Sequence, residues 1–314
     1  MLLISVLMPL TGEMAALTSA CLWASGSVVF GTVGRSFSAL ELNLIKGLVA
    51  VLLLLLTLMI QGSGWPDSAG GPLLLLTLSG MLGIGLSDTF LFLGLKILGA
   101  RRILLLKTLS PPLTAVLAAL FLQEILTPIT WLGIALVIGG VAWVISERSV
   151  LSVGMTESQP LGTGIRYGLL ATVGEACGAV LSRAALAETE VSPLWAALIR
   201  LLSALPVLII WLRWARQPLQ LWAKIRHKTE WQQGWQPLGI LALTAVGTTY
   251  LGIWLQQTAI KYTAAGIAQT LGSTSPLFVL PMVAWMGERV SWRAFLGIGL
   301  ALVGVGLCFS KEIS

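Results

Sequence analysis

Six ionisable residues lie inside apolar runs of this chain: Lys46, Asp88, Lys107, Glu175, Arg183 and Arg200. A charge at the centre of a bilayer costs roughly 2.5–3.5 kcal/mol on insertion scales, so such side chains face an aqueous cavity or an opposite charge. The chemistry open to them is recognition of charge. Lys107 is the most informative, because Pro111 and Pro112 follow closely and their missing amide protons leave carbonyls of the preceding turn without donors. An ammonium among free carbonyls makes a polar pocket. The spacing suggests that Lys107 receives a carboxylate while Glu175 or Asp88 pairs with an amine or relays a coupling proton. The competing reading pairs Lys107 permanently with one of those acids, so that it only holds helices together.

The elements that must position these groups follow from composition. Of 314 residues, 56% are hydrophobic and 10% charged, against about 25% charged in an ordinary soluble domain. The apolar runs reach the roughly 20 residues that a helix needs to cross a bilayer. They fall near 13–33, 40–60, 72–94, 100–122, 128–146, 162–187, 193–213, 237–257, 263–286 and 291–310. Each is expected to be helical, since only a helix satisfies its own backbone in lipid; leucine-rich runs such as Leu52 to Leu56 contradict the alternation of a β-barrel. Trp65, Trp131, Trp195, Trp211, Trp235 and Trp292 lie near span ends and read as interfacial anchors.

Function classes fall away on the same grounds. The net charge of +6 and pI near 9.6 come without a patch of interleaved basic and aromatic residues, which argues against nucleic acid. Cys21, Cys177 and Cys308 are too dispersed for a metal site or disulfide framework. No HExxH, GxSxG or P-loop pattern occurs, and the single histidine, His227, lies in a basic loop. Neither an enzyme nor a cofactor is expected. Met1 to Leu10 is apolar but lacks a preceding basic residue and a small-residue cleavage site, which argues against a signal peptide.

The polar stretch Glu147 to Pro160 divides the chain into five spans and five spans. The halves repeat. Pro112, Glu124, Gly133 and Gly140 recur as Pro276, Glu288, Gly297 and Gly304, Leu44-Ile45-Lys46 corresponds to Leu198-Ile199-Arg200, and Lys96 preceding Ala100 resembles Lys261 preceding Ala265. An odd number of spans per repeat makes the second copy enter the membrane from the opposite side. Inverted repeats of this kind surround a midplane site that opens alternately to either face. The expected fold is therefore an all-α integral membrane protein of ten transmembrane helices: a first repeat at 11–147, a linker at 148–161 and a second repeat at 162–312.

With Leu22-Trp23-Ala24-Ser25-Gly26 in the first span, Lys46 and Arg200 in the second span of each repeat, and the paired Ser-Pro to Glu to Gly patterns, the sequence resembles the drug/metabolite transporter superfamily, in its ten-helix EamA type. The resemblance runs from about Gly12 to Lys311. It implies a carrier, often an exporter of amino acids or other metabolites, with a central cavity lined by both repeats. One departure matters: Glu175-Ala176-Cys177-Gly178 stands where the first repeat has Trp23-Ala24-Ser25-Gly26, so the two cavity walls differ chemically.

Two main readings of the cargo follow. One is a zwitterion or anion recognised by Lys107 and an acid, with Gln269 as an uncharged hydrogen-bonding wall opposite the cation. The other is a hydrophobic cation held by Glu175 and Asp88 with the aromatics Trp23, Tyr250 and Trp254. Four cations against two acids in the spans favour the first. A sugar-phosphate or nucleotide-sugar antiporter would need Lys46, Lys107 and Arg200 to converge. Lys46 and Arg200 lie close enough to span ends to snorkel, so interfacial anchoring outweighs substrate contact for both, and more so for Arg183. Glu124 and Glu288 read as interfacial turn residues. Small-xxx-small spacing at Ala135–Gly139 and Gly297–Ala301 points to close helix packing within a monomer, with a homodimer face as an extra. The expected partners are a small-molecule substrate and the lipid bilayer of the cell membrane. Family precedent puts both termini in the cytoplasm, whereas the basic loops, Arg101, Arg102, Arg148, Arg213, Lys224, Arg226 and Lys228 among their residues, would put them outside by the positive-inside rule.

Overall fold

The computed structural model describes residues 10–33, 39–66, 70–147, 160–214, 239, 242–285 and 291–309. Glu288, His227, Trp235 and nearly all of the expected linker, 148–159, lie outside the described residues. Among those described the chain is helical without strands, as a backbone with no water to bond requires. The helices are α1 (Thr11–Val33), α2 (Ala39–Ile60), α3 (Gly70–Gly80), α4 (Ser87–Lys107), α5 (Ser110–Leu122), α6 (Pro128–Glu147), α7 (Leu161–Leu186), α8 (Pro193–Trp214), α9 (Gly252–Tyr262), α10 (Ala265–Gly272), α11 (Ser275–Trp285) and α12 (Trp292–Phe309). Among the described residues, seven stretches are long and apolar enough to cross a membrane: Asn43–Ile60, Gly70–Gly99, Arg102–Leu122, Pro128–Ser146, Leu161–Leu186, Pro193–Trp214 and Trp292–Phe309.

Several boundaries differ from the sequence expectation. The third run continues to Gly99, where a positive φ of 75° breaks the helical path, a conformation that costs glycine little. The fourth and ninth runs, expected to be unbroken, are interrupted at Thr108-Leu109 and Ser273-Thr274. Proline contributes, since Pro111, Pro112 and Pro276 have no amide to offer the turn before them, and hydroxyls at each break donate to carbonyls one turn back. Thr108 Oγ1 donates to Leu105 O, Ser273 Oγ to Thr270 O and Thr274 Oγ1 to Leu271 O. The eighth run extends past 257 to Tyr262.

Two short π-helical segments, Met81–Leu86 and Val246–Leu251, widen the helix between α3 and α4 and just before α9. They occupy the same place in the two halves, in the register that relates Lys96 to Lys261. Each is closed by i→i+5 hydrogen bonds, a feature that concentrates at functional sites.

The halves pack by exchanging equivalent surfaces. Helices α6 and α12 run antiparallel, with Gly133 against Gly304 and Gly140 against Gly297 and Ala301. Ser19 Oγ donates to Gly252 O, and at the matching place in the other half Ser87 Oγ donates to Ala171 O. The small-residue expectation needs correcting for the first half: Ala135 and Gly139 face outward, and the seam is made one helix face away by Gly133 and Gly140. A β-carbon on Gly140 would meet the Gly297 carbonyl and the Ala301 backbone nitrogen. Gly140→Val is accordingly expected to destabilise the protein by about 1–3 kcal/mol through overpacking. Gly139→Ala, in a thermal unfolding measurement in detergent, should stay within about 0.5 kcal/mol of the parent; equal effects would refute this assignment of the seam.

Candidate functional site

A cavity of about 310 Å³ lies between the halves. From α1 comes Trp23; from α2, Asn43 and Lys46; from α4, Asp88 and Lys107; from α7, Glu175; from α8, Arg200; from α10, Gln269. Both π-helical segments contribute, the first through Gly83 and Ile84 and the second through Thr248 and Thr249. Seven of the nine residues singled out from sequence as candidate substrate contacts line this one chamber: Lys46, Trp23, Asp88, Lys107, Glu175, Arg200 and Gln269. Tyr250 and Trp254 do not. They pack against the buried apolar cluster shared by α2 and α8, and the Tyr250 hydroxyl makes a 2.8 Å hydrogen bond with Thr57 Oγ1.

Lys107, Glu175 and Asp88 each meet a partner at the chamber wall. Lys107 Nζ lies 3.4 Å from Glu175 Oε2, an ion pair joining the two halves. Asn43 Nδ2 donates to Asp88 Oδ2 at 2.9 Å. Trp23 Nε1 donates to Thr248 O at 2.9 Å, so this aromatic, which shares the lining with Phe92, is tied to the π-helical segment of the other half. Arg200 is 4% exposed, and its Nε and Nη1 have no hydrogen-bond partner. The sequence expectation of a snorkelling anchor is corrected by this burial: α8 turns Arg200 toward the chamber, where its Nη2 lies close to Gly83.

The break between α4 and α5 and the break between α10 and α11 meet at a second cavity of about 140 Å³. Lys107, Glu175, Trp23 and Gln269 line it as well, so the ion pair sits in the wall between two spaces. The Ser110 hydroxyl there is buried without a partner.

Beyond the chamber, toward the C-terminal end of α7, polar contacts join the halves. Ser79 Oγ donates to Gly178 O at 2.5 Å and Ser182 Oγ to Gln257 Oε1 at 2.8 Å. Eight residues past Glu175, about 12 Å along the helix, Arg183 Nε donates to Glu124 Oε1 at 2.5 Å, and Arg183 Nη1 donates to the carbonyls of Ile260 and Lys261. Glu124 Oε2 in turn accepts from the backbone N–H of Ala265, capping the start of α10. Arg183 therefore pairs across the halves and not with Glu188 or Glu190, the acids next to it in sequence. Lys261 Nζ donates to the carbonyls of Thr189 and Val191.

Sequence reasoning passed over Asn43, Gln256, Thr248, Thr249 and Glu13. Asn43 carried a usable signal, three residues before Lys46 and so on the same helix face. Glu13, 1% exposed, accepts from Thr263 Oγ1; its place near the start of the first run gave no hint of that burial.

The decisive observation is a sequence profile that matches twice, over residues 10–146 and 162–310: that of the EamA-like transporter family. The chain belongs to this family. The chamber is thus the interior of a membrane transporter, built from two copies of one unit. A solved crystal structure superposes on the transporter with a TM-score of 0.76 at 16% sequence identity, over 96% of this chain and 98% of the other, which speaks for the fold alone. No curated protein matches.

Proposed function

We propose that this transporter is a secondary carrier of ten spans, in two inverted five-helix halves, that exports a small amino acid or similar zwitterion or anion across the plasma membrane by alternating access. The observation that carries the proposal is the chamber itself: ionised groups from both halves meet in one space, and a second ion pair joins the halves further along α7. Inversion is supported by the crossed pairing of α6 with α12, because equivalent helices that run antiparallel are what an upside-down second copy produces. The paired π-helical segments and paired proline breaks supply matching flexible places in each half, as rocking between two related arrangements needs.

Size weighs against the larger cargoes. At about 310 Å³ the chamber is at the lower end of small-molecule sites, about 300–1,000 Å³, which favours a small metabolite over a nucleotide sugar; Lys46, Lys107 and Arg200 do meet on its wall, the arrangement that a sugar-phosphate cargo needs. A broad carrier of hydrophobic cations loses two of the three aromatics expected for it, since Tyr250 and Trp254 lie off the lining, and keeps Trp23 with Phe92. Counterflow in proteoliposomes tests the carrier reading. Vesicles loaded with unlabelled amino acids are expected to take up labelled ones faster than empty vesicles, by about tenfold when reorientation of the loaded carrier is the fast step. Uptake indifferent to internal solute would be the behaviour of a pore and would end the alternating-access account.

A further inference from the structure

The chamber and the smaller cavity at the helix breaks share four lining residues, Trp23, Lys107, Glu175 and Gln269, so these side chains form the wall between the two spaces. Trp23 is the bulkiest of them, and it is held from several sides. Its Nε1 donates to Thr248 O at 2.9 Å, in the second π-helical segment. Gly252, at the start of α9, leaves the ring its place: a β-carbon there would come within 2.7 Å of Nε1 and 3.2 Å of Cδ1. At the other edge of the ring, a β-carbon on Gly272 would touch Cζ3 at 3.7 Å. Three residues further along α1, a β-carbon on Gly26 would overlap the Thr248 methyl group, so α1 lies tight against the segment that accepts the indole's hydrogen bond. A ring bonded at its N–H and abutting backbone at its edges has little freedom to swing aside. The other half offers no second ring of this kind, because Glu175 stands at the repeat position of Trp23.

We infer that Trp23 determines the size of the cargo: its indole closes the chamber against the smaller cavity and limits the side arm of the solute to what the chamber alone accommodates. This rests on the carrier reading above and adds a specificity residue to it, whichever charged group receives the head of the solute. Removing the ring would join the two spaces. Apart from the shared wall, the smaller cavity is lined by apolar and hydroxyl-bearing residues, among them Leu104, Val141, Ile145, Ser273 and Pro276. The added room therefore suits a longer apolar or weakly polar arm and gives a second charge no partner.

Thermal unfolding of the purified full-length protein in detergent, titrated with ligand, tests this with arms of rising length on one head: L-alanine, L-leucine, L-phenylalanine and L-tryptophan. Propionate against 3-phenylpropionate, and propylamine against 3-phenylpropylamine, repeat the comparison for an anionic and a cationic head. In at least one series the parent is expected to favour a short member over the longest by about tenfold or more in apparent affinity, and Trp23→Ala to shift that ratio toward the long member by at least tenfold, the scale of a single methylene in a fitted pocket. Trp23→Phe keeps a ring in the wall without the N–H and should hold the parent ratio within about threefold. Free indole adds a check that does not depend on the cargo. It should fill the space left in Trp23→Ala, raise the Tm of that variant and not of the parent, and restore the preference for short arms, as an apolar cavity takes up an aromatic molecule of matching shape. If Trp23→Ala does not fold, Trp23→Leu is read in the same way. A tryptophan with a purely structural role would weaken every member alike and leave the ratio unchanged, which overturns the inference; so does a parent that binds no member or ignores arm length, a Trp23→Phe ratio as far shifted as that of Trp23→Ala, or indole without effect on the variant. The carrier reading is decided separately by counterflow. A shifted ratio without counterflow would end that reading and keep the size assignment, whereas counterflow with an unshifted ratio would do the reverse.

Discussion

Lys107→Gln and Glu175→Gln, each alone, are expected to reduce solute exchange by about a hundredfold, and the double variant is expected to recover stability without recovering exchange. The reason lies in what each change leaves behind. With Lys107 gone, Glu175 becomes an unpaired carboxylate in a chamber wall. With Glu175 gone, Lys107 is left as a cation without its carboxylate. Either way, one face of the chamber keeps a charge that has lost its partner. The pair is about a quarter to a third exposed, so its loss should cost less stability than a dry ion pair, about 1–3 kcal/mol for each single variant once solvent screening is allowed for. The double variant removes both charges together and should return to within about 1 kcal/mol of the parent. Because the pair joins the halves where the two helix breaks meet, its absence should still uncouple substrate binding from their movement. Exchange rates in proteoliposomes beside thermal midpoints separate this from a purely structural role, in which the double variant would regain transport along with stability.

Arg183→Ala should produce the largest loss of stability of any single change outside the chamber, about 3–5 kcal/mol. Arg183 and Glu124 are 17% and 16% exposed in their side chains, and the guanidinium also satisfies two carbonyls at the end of α9. Truncation strands all three acceptors. Glu124→Gln is the milder test: it keeps an acceptor for Arg183 and removes the charge, so about half of that loss is expected. If this cluster seals the chamber on its own side, as the carrier proposal requires, Arg183→Ala should also raise the labelling rate of a cysteine placed at Ala179, on the chamber wall, by a membrane-impermeant maleimide applied from that side. Labelling unchanged from the parent, together with an unchanged midpoint, would show that the cluster neither seals nor stabilises.

The amount of the molecule legible in the sequence depends on the range of the interaction concerned. Helical character, the apolar runs and the doubling of the chain were readable from Leu-rich segments, from Gly133 and Gly140 recurring as Gly297 and Gly304, and from Pro112 recurring as Pro276, because lipid solvation and proline's missing donor act within a single segment. The charged lining was also foreshadowed, since an ionised group in an apolar run must find water or a partner whatever the fold. Partner choice was another matter. Nothing near Arg183 in the chain pointed to Glu124, which is 59 residues away, and Glu188 and Glu190 offered nearer decoys. Arg200 looked like a snorkelling anchor because its depth was counted along one helix, whereas its burial comes from the helices around it. Tyr250 and Trp254 shared a span with chamber residues, and a half-turn of rotation, set by packing against α2 and α8, took them off the lining. The order of residues determined which groups would need shelter from lipid; the crossing of two halves decided which of them meet, because a charge is felt over a few ångströms of space and not over distance along the chain.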